Sequence, residues 1–269
     1  MNPPPTDATD FSPAYFERMA ALEDSHPWTA SMRKLALGLL RRHQITPQHR
    51  MLDVGCGTGR FLQDWQTAAS AEQWVGIDLF PEALTLARDR CRATLCAASA
   101  AALPFRAASF AAIHCADVLQ HMSIADCAKA LDEFARVLIP GGTLALRVRG
   151  APTFRRSEDK DFSHGFTPAG LRAALDARHF EILFLSRVNA LPSLWAEARE
   201  GRASVHAAAA PVRHITVRSK GNLRSRLLGA YLAFEAAWIS VAPFGLPCGH
   251  TVVCVARRRE DPSVPRSSS

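Results

Sequence analysis

The chain has 269 residues, 48% of them hydrophobic, 21% charged and 8% aromatic, a globular composition that excludes a disordered or collagen-like chain and is long enough for a large core. Its seven cysteines, at 56, 91, 96, 115, 127, 248 and 254, form no CxxC pair, which argues against a zinc ribbon or a small disulfide scaffold and leaves free thiols with no metal site expected. The net charge of +7 and pI of about 9.4 would suit nucleic acid if clustered, but the densest runs (Arg41-Arg42, Arg155-Arg156, Arg213 to Arg226, Arg257 to Arg259) lack interleaved aromatics. No nucleic-acid partner is expected.

In chain order, residues 1–13 are Pro-rich and polar and residues 261–269 are Pro- and Ser-rich, so both read as tails that cannot bury enough apolar surface to order themselves. The N-terminus lacks a basic segment followed by an apolar run, which gives a cytoplasmic location as the expectation. Residues 14 to 43 show helical spacing broken at His26-Pro27 and predict two helices. From residue 50 short apolar runs alternate with helical stretches, the pattern of repeated βα units. The expected strands are Met51 to Val54, Gln73 to Ile77, Ala93 to Cys96, Ala111 to Cys115, Thr143 to Arg147, Phe180 to Val188 and Thr251 to Ala256. Helices are expected over Pro81 to Arg92, over Ile124 to Leu138 ahead of Pro140-Gly141-Gly142, and from the N-cap Thr167 and Pro168 to about Arg178. Leu227 to Leu246 is apolar apart from Glu235 and nearly long enough to span a bilayer. Glu235 in its middle and Pro243 and Gly245 near its end favour a buried or substrate-covering helix instead.

The chemistry concentrates in LDVGCGTGR, residues 52 to 60. An apolar strand runs into a glycine-rich turn and then a helix, which brings backbone amides close to a ligand. Gly55, Gly57 and Gly59 make GxGxG, and Arg60 stands where a dinucleotide-binding GxGxxG needs its third glycine. Nineteen residues after Gly59, the run VGID ends in Asp78, a carboxylate placed to accept hydrogen bonds from both hydroxyls of a ribose.

With these two features the chain resembles the class I SAM-dependent methyltransferases of the type 11 and 12 kind over residues 50 to 148. LDVGCGTGR is similar to their first motif and VGIDLF to their ribose-binding segment. AALPFRAASFAAIHCADVLQHM looks like their third and fourth strands, and EFARVLIPGGTLALRV like the helix, PGG turn and fifth strand. The resemblance implies a Rossmann-like, doubly wound, mostly parallel α/β sheet of seven strands, with an N-terminal helical cap and a C-terminal substrate-covering insert. It implies one methyltransferase domain over 14–260: a cap at 14–48, a SAM-binding core at 49–150, and a substrate-side segment with the final strands at 151–260. It also implies S-adenosyl-L-methionine as cofactor. Gly55, Cys56, Gly57 and Gly59 would pack on its methionine part, Asp53 would order that loop, and Asp78 with Leu79 would hold the ribose and flank the adenine. Ser99 stands where the family commonly has an acid near the adenine amine, and Ala111 and Ala112 replace a common Asp-Leu or Asp-Val pair. LEDSHPW, residues 22 to 28, is similar to leaders that lie over the cofactor, so the first helices read either as a lid or as a plain cap.

SAM carries an activated methyl group, so the protein mainly aligns a nucleophile and excludes water. Removing a proton from an oxygen or nitrogen acceptor needs a base, for which His121 is the first candidate and His164 the second, with His26 behind them. Cys115 reads as a small buried residue. The expected function is transfer of a methyl group to a small-molecule acceptor by in-line displacement. The alternatives are a non-catalytic binding or regulatory protein that keeps the fold, and a methyltransferase for lipid-linked substrates at a membrane surface, the latter raised by the segment 227–246 and the flanking Arg224 and Arg226.

Overall fold

The computed structural model describes residues 11–66, 73–151, 165–193 and 223–260. Two helices open it, α1 (Pro13–Ser25) and α2 (Pro27–Arg42), and each starts with a proline at its first turn, where the missing N–H costs nothing. Ser12 caps α1 through its hydroxyl, and the His26 ring nitrogen Nδ1 accepts the Trp28 amide to cap α2. Then follow β1 (Met51–Val54), α3 (Arg60–Trp65), β2 (Trp74–Asp78), α4 (Pro81–Arg90), β3 (Thr94–Ala97), β4 (Phe110–Ala116), α5 (Ile124–Val137), β5 (Leu138–Arg149), α6 (Pro168–Asp176), β6 (Phe180–Val188), α7 (Leu223–Val241) and β7 (Thr251–Arg258).

The seven strands form one sheet in the order β3-β2-β1-β4-β5-β7-β6. All pairs from β3 to β5 are parallel, and β7 runs antiparallel to both β5 and β6. Every residue of β1 and β2 is buried, as expected of parallel strands covered on both faces. One face packs α5 and α6 through Leu131, Phe134, Leu171 and Leu175 against Leu52, Ile113 and Leu144. The other packs α2, α3 and α4 through Leu40, Phe61, Trp65 and Leu84 against Met51 and Ala112, and α2 with α7 against Phe184, Val253 and Val255. The chain winds outward from β1 through β2 to β3 and then resumes at β4 on β1's other side. The strand order therefore reverses between β1 and β4, and a crevice opens at their carboxyl ends, where α/β sheets bind ligands.

The expected strands are all present. The fifth is longer than Thr143 to Arg147: it starts at Leu138, directly after α5, because Leu138 pairs with Phe110 ahead of a register shift. Gly141 in that stretch has φ 77°, a value glycine reaches without steric cost, so the PGG run bends the strand rather than delaying it. α4 and α6 end at Arg90 and Asp176, two residues before their expected limits.

The apolar segment 227–246 divides into α7 and a following turn. Pro27 touches Gly229 and Ser240 touches Gly38, so α7 lies parallel to α2, and Arg42 donates to the carbonyl of Ala242 at its C-terminal end. Among the described residues no helix is long and apolar enough to cross a membrane. Glu235 faces inward and is buried, accepting the amides of Asn189 (2.7 Å) and Ala190 (2.8 Å) and the hydroxyl of Tyr231 (2.6 Å). Burial, followed by that contact with Glu235, pushes the Tyr231 phenol up to about 12. A carboxylate serving three donors is what holds α7 to the end of β6. Glu235→Ala, which orphans two buried amides, should lower the unfolding free energy by about 2–4 kcal/mol in urea titration; a loss under about 0.5 kcal/mol would show that the carboxylate does not anchor α7.

Candidate cofactor and acceptor site

The crevice between β1 and β4 is lined by the glycine turn. Gly55, Gly57 and Gly59 have φ of 70°, 54° and 78°, left-handed conformations that any Cβ would strain. Space is also closed to a side chain: a Cβ on Gly55 would fall 2.1 Å from Val118 just after β4, and one on Gly59 2.9 Å from Ala87 of α4. The turn is strapped to β2 by backbone and side chain together. Gly55 and Cys56 donate their amides to the Ile77 carbonyl at 2.8 and 2.9 Å. Gly57 donates to Asp78 Oδ2 at 2.9 Å, and Asp78 Oδ1 accepts the Phe80 amide at 3.0 Å. Burial raises the Asp78 carboxyl above its ordinary range, against the lowering effect of those amides.

Asp53 occupies the middle of β1 and turns to the sheet face, where its Oδ1 lies 2.7 Å from His114 Nδ1 on the paired residue of β4. His114 in turn stacks on Phe61, ring centroids 3.7 Å apart. The loop-tying carboxylate is thus Asp78, while Asp53 joins β1 to β4 beneath it. Cys56 is buried in the turn, and burial, with Asp53 and Asp78 nearby, drives its thiol well above the usual range. Cys115 is raised in the same way, by burial first, and both side chains are buried, the setting of a structural thiol.

Leu79 is 63% exposed at the end of β2, an apolar surface that a ring could cover. The Ser99 hydroxyl accepts the Ala101 amide at 3.2 Å in a tight turn beyond β3. A carboxylate beside an exposed Leu79, a close-approach glycine turn and the Ser99 hydroxyl are a donor and acceptor set that fits SAM.

Helix α1 roofs this crevice. Met19 reaches to 2.9 Å from where a Cβ of Gly57 would stand. Phe11 stacks on Phe80 at 4.7 Å and lies edge-on to His121 at 5.8 Å, with Phe16 5.6 Å from Phe80. Arg90 of α4 locks the far end of α1: its guanidinium donates to Glu23 (3.1 Å), Asp24 (2.8 Å) and the Ala20 carbonyl (3.1 Å), and also to the Thr58 hydroxyl (3.0 Å) inside the glycine turn. Thr58 donates to Glu23, and Arg60 pairs with Asp24. Burial outweighs these partners and holds the Glu23 carboxyl above its usual range. The motif LEDSHPW therefore contributes two acids that reach the cofactor turn.

The remaining residues singled out from the sequence lie beyond β4 and β5 or near α2. His121 closes a 3₁₀ turn (Leu119–His121) and is exposed beside Phe11. His164 lies outside the described residues. His26 spends its Nδ1 on the α2 cap, and burial lowers its pKa. The sequence reading missed Asp117, which has φ 59°, an uncommon backbone conformation for a residue with a Cβ, and pairs with Arg147 Nη2 at 2.6 Å and Nε at 3.1 Å. Burial raises its carboxyl, but the Arg147 guanidinium overrides this and holds it below the ordinary range. Arg147 also sits over the Trp28 ring at 5.4 Å, and the Trp28 indole N–H is buried without a partner. ADVLQH marked the region in the sequence, but a pair that closes between β4 and β5 leaves no local spacing signal.

Residues 52–146 match a family described as a methyltransferase domain. Over these residues the chain is similar to that methyltransferase domain. The chain is 33% identical over 130 residues to the human probable tRNA methyltransferase 9B, covering 47% of this chain and 27% of that protein. It is 38% identical over 102 residues to the demethylmenaquinone methyltransferase of Deinococcus radiodurans, covering 36% and 42%. The matches thus span less than half the length of these relatives. Among solved structures, the 1,6-didemethyltoxoflavin-N1-methyltransferase of Burkholderia thailandensis shares the methyltransferase fold at 17% identity and a TM-score of 0.53, over 97% of this chain and 94% of that one.

Two outcomes test the geometry. Asp78→Ala should weaken S-adenosylhomocysteine binding about 10- to 100-fold in calorimetric titration, the worth of a charged hydrogen-bonding group; unchanged affinity would remove Asp78 from the site. Arg147→Met should cost about 1–2 kcal/mol at pH 7, since both partners are part-exposed. The stabilising effect of Asp117 is present above the ordinary aspartate pKa and lost as pH falls through its depressed folded value, so the stability gap between wild type and variant should close in acid.

Proposed function

We propose that the domain transfers the SAM methyl group to a small-molecule oxygen or nitrogen acceptor, with residues 14–260 working as one unit. The observation that supports this most is the roof: Phe11, Phe16 and Phe80 converge with His121 over the crevice, an aromatic cover suited to excluding water. SAM supplies a methyl group already activated on a sulfonium. The glycine turn, Asp78, Leu79 and Ser99 would hold it, and α1 would cover it. The chain's own contribution is alignment and desolvation, worth more here than acid chemistry.

His121 is the residue we assign to proton removal from the acceptor, because it is exposed at the roof's edge while Cys115 and Cys56 are held as thiols and His26 is committed to a cap. The unpartnered Trp28 N–H, beside the Arg147–Asp117 pair, suits a carbonyl or hydroxyl oxygen on the acceptor. The dispersed basic charge supports a small acceptor over the tRNA that one relative's name mentions.

A screen with tritiated SAM should label low-molecular-weight phenols or amines and leave unmodified tRNA unlabelled. His121→Ala should lower kcat by about 10²–10⁴-fold with little change in S-adenosylhomocysteine affinity. Label on tRNA alone would overturn the acceptor class, and absence of S-adenosylhomocysteine binding would support a non-catalytic protein that keeps the fold.

A further inference from the structure

The outward face of α7 is apolar along its length. At 3.6 residues per turn, Leu227, Phe234, Trp238 and Val241 fall within about 60° of one another around the helix, and they are 60%, 67%, 47% and 74% exposed. Ala230 fills the gap between the first two and is also exposed. Phe244 extends the stripe past the helix end at 61% exposure. Leu232, Ala236 and Ile239 occupy the inner face and are buried, so the outer residues are surplus to the core. A continuous stripe of this kind, about 22 Å over its fifteen residues, marks a binding surface rather than scattered surface apolar residues.

We propose that this face docks on an anionic phospholipid surface, with α7 lying in the interface plane. Charge around the stripe selects this occupant. α2 runs parallel beside α7 and carries no acid; its Lys34 and Arg41 are exposed, and Arg226 is exposed at the α7 end. The single acid of α7, Glu235, is buried on the opposite side, where it serves Asn189, Ala190 and Tyr231. An apolar stripe with Trp and Phe at its centre and cations at its margins matches the boundary of an anionic bilayer, where aromatics sit at the headgroup level and each Lys or Arg adds attraction. A second copy fits less well. Two-fold pairing through this face in antiparallel fashion sets Arg226 of one helix beside Arg41 of the other copy, an uncompensated repulsion.

The test is flotation of the full chain with vesicles at low salt, and its readout does not involve methyl transfer. Wild type should float with phosphatidylcholine vesicles containing 30% phosphatidylglycerol, and should remain unbound with phosphatidylcholine alone. Phe234→Ser/Trp238→Ser should cut the bound fraction at least ten-fold with an unchanged thermal midpoint, since both side chains face solvent. Lys34→Gln and Arg41→Gln should each weaken binding about five-fold, the effect of about 1 kcal/mol per charge. As a check independent of the variants, brominated phospholipid should quench wild-type tryptophan fluorescence. Wild type that floats with neither vesicle, or floats equally well with the aromatic residues replaced, overturns the proposal. So does a wild-type dimer in light scattering that the aromatic substitutions dissociate without any vesicle binding.

Discussion

A single buried carboxylate organises the cofactor end of this protein. Asp78 stands at the end of β2 and takes the amide of Gly57 on one oxygen and that of Phe80 on the other. The glycine turn has three residues in left-handed conformations and would be a costly, floppy excursion on its own. The Asp78 carboxylate and the Ile77 carbonyl together hold it against the neighbouring strand. Everything nearby takes its position from that tie: Val118 can press on Gly55, Ala87 on Gly59 and Met19 on Gly57 only because the turn has a fixed place.

A layer of charge is built on the same turn. Thr58 lies within it, and Arg90 joins Thr58 to Glu23 and Asp24 of α1, so the roof is fastened to the floor by arginine rather than by apolar packing alone. Ion pairs that keep some contact with solvent contribute little individually. Here they share one guanidinium with five donors, and planar, forked geometry suits it to several oxygens at once.

The sheet was legible in the sequence because its signals are local: short apolar runs at βα spacing, a proline at a helix start, a glycine-rich turn after a strand. Asp78 and the glycines were legible for the same reason, since their chemistry is written in spacing over some twenty-five residues. Asp117 with Arg147, and Asp53 with His114, were not. Each pair closes between neighbouring strands at a separation set by register, and register is a property of the whole sheet. Glu235 pointed to a buried helix, but its partners were not legible for a related reason: the amides of Asn189 and Ala190 that need it are supplied by a distant strand end. The longer fifth strand likewise depended on Phe110 offering a partner to Leu138, which no reading of PGG as a stop could reveal.

The joint between the first two helices carries a mechanical consequence. Only His26 separates α1 from α2, and α2 is gripped between the sheet and α7 through Met32, Leu35 and Leu39. Met19 and the Phe11–Phe80 stack lie over the glycine turn, and Arg90 ties the other end of α1 to Thr58 within it. α1 is thus a thirteen-residue rod joined to a packed neighbour by a single residue, and its seat on the turn rests on an aromatic stack at one end and a guanidinium at the other.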